Sequence, residues 1–236
     1  MTTNTESNKL GTPGRILIGA FCALMLGLGL WAGASHADAA PTVSVGQGDL
    51  VNDTFSVAGI PLPAGICTVT AVGRDDSGQK YAVFMGHCSS AGNTVNKDWF
   101  TPVGHIQQAT FTVTESGQLN QIDVGIIRLN PGVGIRPSGM PIGAPQMGAS
   151  VGIRGHGLWT PAVSTGRVLQ VADTDFRVGV QASPGASGGP VIHNGQLVGM
   201  MSRGYRDYFT ADTVAMRMDV AMRYVQSHFG VNLHLI

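Results

Sequence analysis

Short apolar runs bounded by turn residues recur along most of this chain, and that rhythm limits its fold more than any other feature. The runs cover residues 68–72, 81–84, 109–113, 124–129, 150–153, 167–171, 176–180, 191–192 and 197–201. Several alternate apolar with polar residues or are rich in β-branched side chains, and the gaps hold Asp-Ser-Gly, Asn-Pro-Gly and Asn194-Gly195. His193-Asn194-Gly195-Gln196 reads as a hairpin turn between two strands. Glycine fills 34 of 236 positions and only 12% of residues are charged, which fits a turn-rich globular chain. Many short strands with few helices point to an all-β barrel or sandwich. Helical periodicity is confined to the C-terminus, where Met218, Met222, Val225 and Phe229 fall on one face and Gly230 suits a C-cap. Those side chains read as core packing.

The 14 basic and 14 acidic side chains balance to zero formal charge. With no basic field and no charged run, no nucleic-acid partner and no interaction tail is expected. Residues 1–15 are polar and carry Lys9 and Arg15, residues 16–32 are uncharged and mostly apolar, and Ala37-Asp38-Ala39 follows. These are the parts of a secretory signal peptide, expected to engage the secretion machinery and to leave residues 40–236 as a secreted or cell-envelope domain. The apolar run sits at the lower limit for crossing a bilayer and contains Gly19, Gly27 and Gly29, so a retained anchor at 16–32 is the alternative. Cys22 follows Phe21, where a lipoprotein signal needs a small residue, and reads as part of the apolar run. The remaining length suits one large domain or two small barrels sharing a cleft.

Chemistry concentrates in three stretches. Gly185-Ala186-Ser187-Gly188-Gly189-Pro190 sets a serine among glycines. A serine hydroxyl is a poor nucleophile unless a base removes its proton, and the oxyanion that forms needs N–H donors. Glycine beside the serine lets the N–H groups of Gly185 and Ser187 converge. Upstream, Phe84-Met85-Gly86-His87-Cys88 closes an apolar run with a histidine. Between them, Gln121-Ile122-Asp123-Val124-Gly125-Ile126-Ile127 embeds an acid in apolar sequence, and a buried carboxylate demands a hydrogen-bonded partner. His, Asp, Ser is one of the orders in which a catalytic triad occurs along a chain. Glycine-rich serine turns also occur without catalysis, so it is the conjunction that carries the reading.

With Cys67 and Cys88 flanking that histidine, the chain resembles the trypsin/chymotrypsin-like serine endopeptidases, especially their compact bacterial secreted members, over about residues 66–229. The resemblance implies two antiparallel six-stranded β-barrels with a cleft between them, a crossover near 137–147 and a C-terminal helix. The first barrel would supply His87 and Asp123, the second Ser187. Polypeptides would be the substrates, with no cofactor and no metal. Leu197-Val198-Gly199-Met200-Met201-Ser202-Arg203-Gly204 looks like the strand that lines the cleft. Ser202 would hydrogen-bond near Asp123, and the Ser202–Gly204 backbone would pair with substrate in strand fashion. The resemblance puts the floor of the primary pocket at Gln181, which would favour neutral side chains over Lys or Arg. Met201 stands where acid-preferring relatives carry a histidine. Arg203 either biases outer subsites towards acids or is a solvated rim charge.

In an oxidising compartment the two cysteines, 21 positions apart, are expected to form one disulfide, with two free buried thiols as the alternative. The sequence departs from the family where Ala186 replaces an acid before the nucleophile and where Met85-Gly86 precedes His87. Ala186 argues against activation by a newly freed N-terminal ammonium. The alternative to an active enzyme is a protease-fold protein that binds peptides without cleaving them. The remaining histidines (His36, His105, His156, His193, His228, His234) read as signal, surface or structural residues, and Asp98, Asp173 and Asp175 as solvated acids.

Overall fold

The computed structural model describes residues 43–57, 60–112, 118–155, 157, 163–205 and 211–236. The expected signal segment, with His36, lies outside the described residues, as does His156. In chain order the strands are β1 (Ser44–Gly46), β2 (Leu50–Val57), β3 (Ile60–Thr68), β4 (Ala71–Arg74), β5 (Lys80–Phe84), β6 (Thr94–Lys97), β7 (Thr101–Phe111) and β8 (Asp123–Leu129). They continue as β9 (Gly134–Arg136), β10 (Ser150–Arg154), β11 (Val163–Val171), β12 (Asp175–Val178), β13 (Pro190–His193), β14 (Gln196–Gly204) and β15 (Thr213–Arg217). Helix α1 (Met218–Phe229) and β16 (His234–Leu235) complete the fold, and a 3-10 turn at Gly86–Cys88 follows β5.

The second half closes into a six-stranded barrel in the order β10-β11-β12-β15-β14-β13, antiparallel throughout. The first half is an eight-stranded sheet, β16-β4-β5-β8-β7-β6-β2-β3, whose ladder is open among the described residues. Apart from β16, its two ends are β3 and β4, and these are joined by Val69 and Thr70 alone. The chain itself therefore draws the sheet's ends together and curls it into a half-barrel. Pro61 and Pro63 in β3 lack N–H donors, which suits an edge position. The sheet is thus all-β and barrel-like as expected, but the β3–β4 corner takes the place of a closing ladder.

Two cores follow from the two bodies. The second barrel is filled by side chains that include Val151, Ile153, Phe176, Val178, Val191, Val198 and Met201. The first core gathers Val83, Phe84, Ile106, Ile126, Ile127 and Leu129, and it also takes Leu197, Met200 and Met216 from β14 and β15. Strand β14 is buried on both faces, which is why 197–201 reads as an unbroken apolar run. Helix α1 ends at Gly230 in the left-handed conformation (φ 67°), with its N–H donating to Val225 O. Met218, Ala221 and Val225 on its buried face pack into the first core, not the second. After α1 the chain returns to the first sheet, where β16 lies along β4.

Candidate active site

The segment between β12 and β13 holds Ser187 in a tight turn. Ala186 N–H donates to Ser183 O (3.0 Å) and Gly189 N–H to Ala186 O (2.8 Å). Gly185 (φ 93°) and Gly188 (φ 86°) occupy the left-handed region that only glycine enters without strain. A Cβ on Gly188 would lie 1.9 Å from Thr68 O, so glycine is required there for space as well. This close approach docks the turn on the β3–β4 corner of the first sheet. Thr68 N–H donates to Ser187 O (2.7 Å), Thr68 Oγ1 to Gly185 O (2.9 Å) and Thr70 Oγ1 to Gly188 O (2.7 Å). Both threonines are fully buried. The N–H groups of Gly185 and Ser187 donate to no group among the described residues.

His87 sits in the 3-10 turn after β5. Gly86 lets that turn press against β7, since a Cβ there would lie 2.0 Å from Thr110 O. The Cys67–Cys88 disulfide ties the turn to the end of β3. With both sulfurs in that bond, neither offers a thiolate to a metal beside His87. On the far side, buried Asp53 of β2 accepts from Ser89 Oγ (2.6 Å) and Asn93 Nδ2 (3.0 Å). Asp123 opens β8 and is 1% exposed. Its Oδ1 accepts His87 N–H (3.0 Å), and its Oδ2 lies 2.7 Å from His87 Nδ1 and accepts Ser202 Oγ–H (2.6 Å). These donors offset the cost of burying the charge. With Nδ1–H held by the carboxylate, Nε2 presents its lone pair to Ser187 Oγ at 2.9 Å. Ser187 Oγ also lies 3.2 Å from Ser202 O.

No family model and no curated protein matches this sequence. Solved structures do. The chain is similar to Thermobifida fusca protease A at 20% identity and TM-score 0.58, covering 82% of this chain and 100% of that one. It is similar to a glutamic acid-specific serine protease that uses a histidine triad in substrate binding, at 19% identity, TM-score 0.57 and 80% and 100% coverage. Cellulomonas bogoriensis chymotrypsin matches at 18% identity, TM-score 0.53 and 82% and 100% coverage. The chain has the chymotrypsin-like fold. The likeness is one of architecture, and the chemistry rests on the side chains just described.

Within that fold, Ser202 reaches Asp123 because of a β-bulge. The β14–β15 register steps from Met201–Ala215 to Arg203–Val214 and leaves Ser202 unpaired, so its buried side chain turns towards the first sheet. Gly204 pairs with Thr213 at the strand's end, and Gln181 is exposed. Ala186 is buried, with its backbone against Gly155. Arg203 is half-buried and turns inward, donating Nη2 to Gln118 O (2.8 Å).

One expectation is corrected. Asp98 and Asp173 are exposed as read, but Asp175 is 1% exposed, because β12 carries it beneath the segment that leads into Asp123. Burial pushes its carboxyl above the usual carboxylate range, against the N–H bonds from Asn120 and Gln121 and the charge of Arg203. The described histidines other than His87 have other partners or are exposed. His193 bonds Ser150 O, His228 stacks on Tyr224, His234 pairs with Asp76, and His105 is exposed on β7. Sequence reasoning missed Thr68, Thr70 and Asp53. The first two bond across 117 and 118 positions, and no local pattern marks such partners.

Proposed function

We propose that the chain is a serine endopeptidase that cleaves polypeptides through an acyl-enzyme, with His87, Asp123 and Ser187 as its triad. The observation that carries this reading is the unbroken series from Asp123 Oδ2 to His87 Nδ1 (2.7 Å) and from His87 Nε2 to Ser187 Oγ (2.9 Å). Ser187 Oγ attacks the scissile carbonyl while His87 Nε2 takes its proton. His87 then returns the proton to the leaving amine, and Asp123 holds the tautomer and stabilises the imidazolium. The N–H groups of Gly185 and Ser187 are the donors for the oxyanion, a reading supported by their lack of acceptors among the described residues. Ser202 Oγ–H adds a third donor to the Asp123 carboxylate and keeps it oriented.

The Ser202–Gly204 backbone forms the strand on which substrate pairs, and Gln181 gives the primary pocket a neutral preference, apolar or small. The disulfide supports an oxidising location, with residues 1–39 as the signal and 40–236 as the working domain. Among the described residues no helix is long and apolar enough to cross a membrane.

Labelling with a fluorophosphonate tests the reading directly, because only an activated serine reacts. Modification mapped to Ser187 and abolished in His87→Ala is the expected result. Absence of both labelling and peptide hydrolysis in the folded protein would leave the fold as a peptide-binding scaffold.

A further inference from the structure

The proposed base and acid belong to the first sheet and the nucleophile to the second barrel, so the geometry of the site depends on how the two bodies are registered. His87 meets Ser187 across that seam, and Asp123 must hold a fixed position relative to both. On its own side, Thr112 anchors the segment leading into Asp123: Thr112 N–H donates to Ile122 O (2.9 Å) and Ile122 N–H to Thr112 Oγ1 (2.8 Å).

Further anchors come from the barrel that carries Ser187. Asp175 Oδ1 accepts Asn120 N–H (2.9 Å), and its Oδ2 accepts Gln121 N–H (3.4 Å). Asn120 Oδ1 accepts Asp173 N–H (2.9 Å), and Arg203 Nη2 donates to Gln118 O (2.8 Å). Asn120 sits at φ 67°, a conformation uncommon for a residue with a side chain, and the tethers on both its faces hold it there. A buried carboxylate is costly, so its place beneath this segment calls for a role beyond filling space.

We propose that Asp175 is a positioning residue for the reaction: its carboxylate fixes the Asn120–Gln121 backbone to the barrel that carries Ser187 and Ser202, and so sets Asp123 against His87. Arg203 is its companion, placing a positive charge that partly opposes the burial and holding Gln118. Asp175 touches neither substrate nor the reacting atoms and acts only through Asp123. The proposal rests on the triad reading above and extends it to the device that registers the triad across two bodies.

Asp175→Asn tests it. The side chain keeps its shape and one acceptor oxygen, but its amide opposes the second N–H donor. Because displacements of about an ångström cost on the order of a hundredfold, kcat should fall about tenfold to a hundredfold with KM within about twofold. The far-downfield proton resonance of His87 Nδ1–H should shift or broaden in the folded variant. That resonance reads the Asp123–His87 bond whether or not the protein cleaves peptides. If wild type shows no hydrolysis and no fluorophosphonate labelling, the function fails while the resonance still judges the clamp. An unchanged resonance in folded Asp175→Asn, together with unchanged kcat where activity exists, would overturn the proposal. A loss of activity that only tracks the unfolded fraction, with the resonance intact, would do the same. Should that variant not fold, Asn120→Gly removes the Asp173 tether at an exposed site that accepts glycine, and a smaller kcat loss with the same resonance change is expected. No change in either would sink the idea.

Discussion

The closed second barrel and the open first sheet solve the same problem by different means. Six strands hydrogen-bonded in a ring close the second body on itself. The first body lacks a closing ladder among the described residues and is held instead by a disulfide, a two-residue corner and a helix and strand returned from the far end of the chain. The barrel carries Ser187, the proposed nucleophile, on a turn, and the sheet carries His87, the proposed base, on a stapled 3-10 turn. A closed body can present a tight glycine turn, while an open one needs its site pinned from outside. Thr68 and Thr70 let the two requirements meet: the corner that curls the sheet is also the seat of the Ser187 turn.

The largest effect should come from treating the two bodies as one catalyst. Ser187→Ala in the barrel and His87→Ala in the sheet should each lower kcat by on the order of 10⁴-fold or more, and the double variant should lose little further. Losses that multiply would show that the bodies contribute separately. Next comes the seam itself. Gly188→Ala meets both a positive φ and Thr68 O, and should cost about 3 kcal/mol or more in a denaturant melt. Gly195→Ala has a similar φ but nothing within 4 Å, and should cost only about 1 kcal/mol. Equal costs would mean that the docking on Thr68 is not tight.

Replacing both cysteines with alanine should destabilise the protein by about 3 kcal/mol. The accompanying rise in amide exchange should be concentrated in β3, β4 and β5 while the barrel stays protected. Uniform exchange would erase the distinction between the bodies. The smallest effect is electrostatic. Burial opposes ionisation of Asp219 at the start of α1, but its bonds to Arg217 and Arg223 outweigh that and hold its carboxyl below the usual range. A lowered pKa contributes stability above the unfolded-state value of 3.8, and that contribution is lost as pH falls through the folded value. Asp219→Asn should therefore cost under about 1 kcal/mol at neutral pH, with the gap from wild type closing in acid. A gap that widens on acidification would reverse the sign.

Legibility differed between the bodies for physical reasons. Residues 81–84, 124–129 and 197–201 were readable as strands because each packs apolar side chains into a core, and α1 with its Gly230 cap announced itself by period and turn chemistry. Strand β2 was not readable, since Asn52 and Asp53 stand where a local rule expects apolar residues, and the partners of Asp53, Ser89 and Asn93, are remote in sequence. Strand β15 was missed because its buried run is short and passes directly into the helix. At the site, His87, Asp123, Ser187 and Ser202 carry local motifs. Asp175 carries none, and its surroundings in sequence are those of an ordinary surface turn, so only the fold reveals that it is covered.

The return of the chain end to the first sheet also bears on the order of assembly. Residues 218–236 complete a core whose other members lie mostly before residue 134, so a nascent chain keeps those early strands partly uncovered until residues 218–236 arrive. Contacts of such long sequence separation form late and slowly. The β3–β4 corner matures with that core, and the turn bearing Ser187 docks on that corner. A half-made chain therefore holds His87 and Asp123 without a seated Ser187, and the three side chains come together only once the first core is filled.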